Sequence, residues 1–151
     1  LEGYRQALTA RNLHVPHEFV CSGADTFEGG RAAAASVLEQ WRRPSAFFAT
    51  NNFMTMGTLV AIAEAGLKVP DDVSVVGIDD MEWYPIADPP ITAVHESAAQ
   101  MGQVAAERLL LRLRRKRQPP PARIRLETEF RVRDSVGPPP DSTVRPSAEQ
   151  G

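Results

Sequence analysis

An α/β fold with an open parallel sheet flanked by helices is the class this chain predicts, and two observations predict it. Apolar runs of β type alternate with helix-length stretches, in the order helix, strand, helix, strand, helix, strand. The runs at 46–50 and 73–78 are apolar nearly throughout, as strands covered on both faces are. Strands joined by helices of ten or more residues imply crossover connections and hence parallel pairing.

Each element follows from local chemistry. Leu1, Tyr4 and Leu8 recur at helical spacing and predict a helix from the start to about Asn12, ended by Pro16. Phe19, Val20 and Cys21 form a short β-type run. Thr26 is an N-cap candidate for an alanine-rich helix carrying Val37, Leu38 and Trp41, which Pro44 stops. Residues 46–50 read as a buried strand whose Phe47 and Phe48 face opposite ways. Asn51 or Asn52 caps the next helix, and Gly66 stands where a C-terminal glycine belongs. Residues 73–78 give the clearest strand and 91–95 a further one. Ser97 with Gln100 forms a capping box that opens a helix over 98–114. Residues 123–133 alternate in part and predict one or two strands. From Ser135 onward there is almost nothing to bury, so 135–151 is expected to be a disordered tail behind one domain over 1–134.

Composition narrows the function classes. The 151 residues suffice for one ordinary domain. A net charge of −2 carries no polyanion signal. Between 108 and 133, ten cations against two carboxylates give +8 and leave −10 elsewhere. No aromatic residue lies within 112–125 to stack on bases, so a solvated basic face explains this segment more simply than a nucleic-acid site. The single cysteine, Cys21, precludes an intrachain disulfide and fits a reducing, cytoplasmic compartment. No long apolar run suggests a membrane span, and no leader is visible. The chain opens on Leu1, within a helical pattern, so its numbering is expected to begin inside a longer protein.

Three polar clusters fall at the carboxyl ends of strands, where open parallel sheets bind ligands. They are Thr50, Asn51 and Asn52; Asp79 and Asp80; and His95 and Glu96. An amide beside carboxylates suits a ligand rich in hydroxyls, such as a sugar. Each cluster also has a plain structural role open to it: Asn51 as a helix cap, Asp79 and Asp80 as a turn, Glu96 as a solvated carboxylate near a helix start. Phosphate-cradling glycine patterns, a nucleophile elbow and a thiol-enzyme signature are absent, and three scattered histidines make no zinc site. No catalytic residue, metal or cofactor is therefore expected.

Several segments together resemble the LacI/GalR family of bacterial transcription repressors. They are residues 1–5, 48–57 with Asn51, Asn52 and Gly57, and 66–80 running from Gly66 through Pro70 and Gly77 to Asp79 and Asp80. Residues 89–94, Met101 with Gly102, and 127–135 continue the match, so the resemblance covers about 1–135 in order. It implies a two-lobed, periplasmic-binding-protein-like (type I) effector domain, truncated here at its N-terminal side. This chain would supply most of the second lobe, the crossing strand near 92–96 and one helix that packs on the first lobe. Carried over position by position, the resemblance implies ligand contacts at Asn51, Asp79, Glu96, Phe48 and Asp25. Asn52 stands where the family has aspartate, and Glu96 where many members have glutamine, which adds negative charge to the pocket. The resemblance further implies a sugar-like small-molecule effector and a homodimer with Met56 and Ala87 near its interface. Operator DNA would be bound only by a helix-turn-helix preceding Leu1. A solute receptor of a sugar transport system is the rival of the same fold, and an α/β enzyme using Asp79, Asp80 or Glu96 is a third.

Overall fold

The computed structural model describes residues 1–14, 16–114 and 120–139. Helix α1 spans Glu2–Thr9, α2 Phe27–Leu38, α3 Asn52–Glu64 and α4 Ala98–Arg114. Strand β1 spans Ala46–Phe48, β2 Ser74–Ile78, β3 Thr92–His95 and β4 Glu129–Arg131. The sheet runs in the order β1-β2-β3-β4, with β1, β2 and β3 parallel and β4 antiparallel to β3. The expected parallel sheet is thus present, closed on one side by an antiparallel strand from the 123–133 segment.

The predicted capping chemistry is visible. Thr26 Oγ1 accepts the Gly29 N–H at 3.0 Å, and Asn51 Oδ1 accepts the Met54 N–H at 2.8 Å. Gly66, at φ +70°, takes the left-handed turn after α3. Ser97 Oγ accepts the Gln100 N–H at 3.2 Å at the start of α4. Helices α2 and α3 press together on one face of the sheet because two glycines let them. A Cβ on Gly57 would lie 2.2 Å from the Phe27 carbonyl oxygen, and one on Gly30 would lie 2.6 Å from Met54 Cα. Beneath them Ala34, Leu38, Ala61, Ile62, Val73 and Val75 form the main core, while Tyr84, Ile91 and Ala93 form a second cluster. Burying an aliphatic side chain of this size contributes roughly 1.5–3 kcal/mol.

Three expectations change. Residues 19–21 join no ladder: His17–Phe19 is a 3₁₀ turn, and Val20 is extended without a strand beside it. A β-type run becomes a strand only when a neighbour supplies donors and acceptors. Helix α2 ends at Leu38, short of Trp41, which is exposed. The folded unit also continues past residue 134. Ser135 is fully buried between β2 and β3: its C=O accepts the Val75 N–H, and its hydroxyl donates to the Val75 C=O at 2.6 Å and accepts the Thr92 N–H at 2.8 Å. Gly137 pairs with Ser74 Oγ. The expected tail beyond 139 lies outside the described residues.

Helix α4 contributes no residue to the core. Its Met101, Leu109, Leu110, Leu111 and Leu113 are exposed, as expected of a helix built to pack on something outside this unit.

Candidate ligand site at the carboxyl edge of the sheet

The carboxyl end of β2 turns sharply at Asp79 and Asp80, whose φ angles are +82° and +41°. Only glycine, asparagine and aspartate enter this region readily. The turn sends the two carboxylates in opposite directions, and they do different work.

Asp79 faces the start of α3, where its Oδ2 accepts the Asn52 N–H at 3.1 Å. A carboxylate here satisfies a free backbone donor and meets the positive end of the helix dipole. Asn51 sits beside it as the N-cap. With its Oδ1 used on Met54, its Nδ2 donates to Asp25 Oδ1 at 3.3 Å. Asp25 projects from the turn before α2, held at φ +56°. Asp25, Asn51 and Asp79, predicted from three separate loops, are therefore brought into one line at the start of α3, with Asp25 bonded to the Asn51 amide and Asp79 to the N–H of the neighbouring Asn52. Capping does not exhaust Asn51: its oxygen does that work, one amide N–H goes to Asp25, and the second N–H is left for another acceptor.

Asp80 turns inward. Its side chain is only 2% exposed and accepts from Arg131 and Arg133, each at 2.6 Å. The bond from Arg133, with that from Arg131, holds the Asp80 carboxyl below its ordinary range against the opposing effect of burial. Asp80 thus ties β2 to the β4 segment. Arg131 and Arg133 consequently belong to a structural ion cluster and not to a solvated basic face. The signal was present in sequence: in the 123–133 segment, expected as strand, arginines two apart share a face and can converge on one carboxylate, although β4 itself ends at Arg131.

Tyr84 locks the start of α3 to the end of β2. It is fully buried, and its hydroxyl lies 2.9 Å from both Thr55 Oγ1 and the Ile78 C=O. Thr55 Oγ1 lies 2.8 Å from the Asn51 C=O. Two protons serve these three contacts, so two are hydrogen bonds at any moment. Burial pushes the Tyr84 hydroxyl up to about 12, which keeps it protonated. Gly77 makes the room: a Cβ there would meet the Tyr84 hydroxyl at 2.7 Å. Sequence reasoning passed over Tyr84, since a tyrosine in a proline-rich loop carries no periodic signal.

Phe48 and Glu96 stand apart from that line. Phe48 is 44% exposed and stacks on Tyr4 of α1, ring centroids 6.3 Å apart and planes 20° apart. Glu96 lies beyond β3, exposed, and its carboxylate makes no hydrogen bond or ion pair among the described residues. A cavity of about 1190 Å³ runs beside β1 and is lined by Tyr4, Asp25, Phe48, Thr50 and Met54, among others. Asn51, Asp79 and Glu96 are not in its wall. Among the described residues there is no cluster of histidine, cysteine and carboxylate side chains able to hold a metal ion, and no helix long and apolar enough to cross a membrane.

The model of the periplasmic binding protein-like domain matches residues 1–136. The chain belongs to this family. Its relatives are LacI-family regulators, and the match is to their effector domain. It is 35% identical over 113 residues to the ribose operon repressor of Escherichia coli strain K12, covering 75% of this chain and 34% of that protein. It is 33% identical over 137 residues to the HTH-type transcriptional repressor PurR of Haemophilus influenzae, covering 89% of this chain and 41% of that one. Among solved structures it superposes on a complex of the transcriptional regulator CelR with cellobiose at a TM-score of 0.82 and 34% identity, over 88% of this chain and 40% of that chain. The chain thus spans about a third to two-fifths of the length of the curated relatives it matches.

Proposed function

We propose that this periplasmic-binding-protein-like unit is the effector-sensing part of a LacI/GalR-type transcription repressor, and that it binds a sugar-like small molecule without transforming it. The observation that carries this reading is the convergence of Asp25, Asn51 and Asp79 at the carboxyl edge of the sheet, in a chain whose relatives are repressors. Carboxylates and amides held by helix caps are rigid acceptors and donors for hydroxyl groups, each bond to a charged group contributing about 1.5–3 kcal/mol. Phe48 supplies a face for the ligand's apolar side. Glu96 supplies a further acceptor from β3, which the ligand or the opposite lobe would engage.

Regulation then follows from linkage. An effector that prefers one lobe arrangement shifts the protein toward it, with a coupling of about 1–3 kcal/mol. In this reading operator DNA is contacted by a separate helix-turn-helix, the protein acts in the cytoplasm, and it forms a homodimer. Exposed Met56 and Ile86, with Ala87 beside the latter, supply apolar surface for the partner subunit. Repressor relatives, and not enzymes, support a binding role.

Titration calorimetry of the protein at the length its gene encodes tests this reading, with ribose, cellobiose, glucose and sucrose as probes. One of them binds, and Asp79→Ala weakens that binding at least tenfold while the thermal transition is retained. Heats at the level of dilution for all four at millimolar concentration, or an affinity indifferent to Asp79→Ala, overturn it.

A further inference from the structure

We infer that His95 is a proton-operated positioning residue for the turn that carries Asp79: once its ring is protonated, it takes the Asp80 carboxylate from Arg131 and moves the anchor of that turn from β4 to β3. The hand-over stands on the ion cluster itself, and only its effect on affinity rests on the effector reading.

His95 ends β3, and its Nδ1 is buried without a hydrogen-bond partner among the described residues. Asp80 Oδ2 lies 3.8 Å from it, beyond hydrogen-bond distance. In a neutral ring one nitrogen is bare and the other carries hydrogen, and Nδ1 is unsatisfied here in either form. In the imidazolium both nitrogens donate. An approach of about 1 Å then gives the Nδ1–H a charge-assisted bond of ordinary length to the carboxylate. Histidine is the side chain that gains its proton between about pH 8 and pH 5.

The surrounding charges decide which tie gives way. Beside His95 stand Asp80 from the turn after β2, Glu129 and Arg131 from β4, and Arg133 just past it; Glu96, next in the chain, is exposed. Glu129 is the cross-strand partner of His95 in register. With the ring neutral, two guanidinium groups face two carboxylates. Protonation sets three cations against the same two. Arg133 keeps its hold, because it is only 17% exposed and donates to the Ile91 C=O as well as to Asp80 Oδ1. Arg131 is 37% exposed and already has a second carboxylate, Glu129 Oε2, at 3.0 Å from its Nε and 2.8 Å from its Nη2. It therefore releases Asp80 Oδ2 to His95 and keeps Glu129.

Asp79 follows Asp80 through the backbone. The two share one left-handed turn, and the Asp79 N–H pairs with the Val94 C=O of β3. Drawing the Asp80 carboxylate toward β3 pulls on the residue whose own carboxylate holds the Asn52 N–H at the start of α3. A charge gained at His95 thus reaches the polar line of Asp25, Asn51 and Asp79 through two covalently joined aspartates.

Amide hydrogen exchange on the protein at the length its gene encodes tests this, comparing about pH 8 with about pH 5.5 after correction for the intrinsic rate. Asp80 itself stays ionised over that interval, since Arg133 and Arg131 hold its carboxyl below the ordinary range. Released from Asp80, the 129–133 segment loses protection at least about fivefold at the lower pH in the wild type, and less than about twofold in His95→Gln. Glu129→Gln, which removes the alternative partner of Arg131, also keeps the loss below about twofold. The affinity for whichever of ribose, cellobiose, glucose and sucrose binds falls at least about threefold over the same interval in the wild type and not in His95→Gln. No loss of protection in the wild type, an equal loss in either variant, or a sugar affinity indifferent to pH overturns the inference. Heats at the level of dilution for all four sugars sink the effector reading instead, and the exchange comparison then decides the hand-over alone.

Discussion

Replacing Tyr84 by phenylalanine removes one fully buried oxygen from a largely buried network and leaves the ring in place. The proton count sets the magnitude. In the wild type two protons serve the contacts among Tyr84, Thr55, Asn51 and Ile78. In Tyr84→Phe the Thr55 hydroxyl still donates to the Asn51 C=O, so the cap of α3 survives. The Ile78 C=O loses its hydroxyl donor, and it lies beyond the last registered pair of β1 with β2, Phe48 with Val76. One buried acceptor without its donor costs about 1–3 kcal/mol. At roughly 2–4 °C per kcal/mol for a chain of this size, Tm falls by about 2–12 °C. Circular dichroism melts of wild type and variant read this directly. The ligand affinity should fall less than for Asp79→Ala, since Tyr84 only positions the turn that carries Asp79. A variant with an unchanged Tm would show that the hydroxyl is not the tie between α3 and β2 and would refute the reasoning.

Acid should loosen the β4 segment through Asp80. Its carboxyl titrates below the ordinary value in the folded chain, so the stabilisation is complete above about pH 4 and is lost as pH falls through the depressed folded value. A pH series of melts checks this, and in Asp80→Asn that part of the acid dependence disappears, at a cost of about 2–3 kcal/mol discounted for the partly exposed Arg131. Ser135→Ala leaves the Val75 C=O and the Thr92 N–H without their hydroxyl partner and should cost about 1–3 kcal/mol for each, measured by urea denaturation. Gly57→Ala drives a methyl into the backbone of α2 and should destabilise by about 1–3 kcal/mol, whereas Gly102→Ala, with open space around it, should be neutral or stabilising in the same assay.

What the sequence determined by itself was everything written in local chemistry. The caps at Thr26, Asn51 and Ser97, the stop at Gly66, the opposite facing of Phe47 and Phe48, and the apolar continuity of β2 all depend on near neighbours or on strand period. The strand-end position of Asn51 and Asp79 was legible for the same reason, since a sheet places its binding residues where the apolar runs stop. Other features required chain brought from far away. Asp79 and Asp80 are adjacent and identical, yet one caps a helix and the other anchors two arginines some fifty residues later. Nothing in the dipeptide distinguishes them; the left-handed turn does. Residues 19–21 carry the propensity of a strand and are not one, because pairing is a property of two chains of backbone and not of one. Ser135 sits in a segment poor in apolar residues and is buried all the same, because the gap it fills between β2 and β3 needs a donor and an acceptor, not a hydrocarbon. Local rules place groups along a chain, whereas hydrogen-bond satisfaction in a buried interior is settled only once distant backbone supplies the partners.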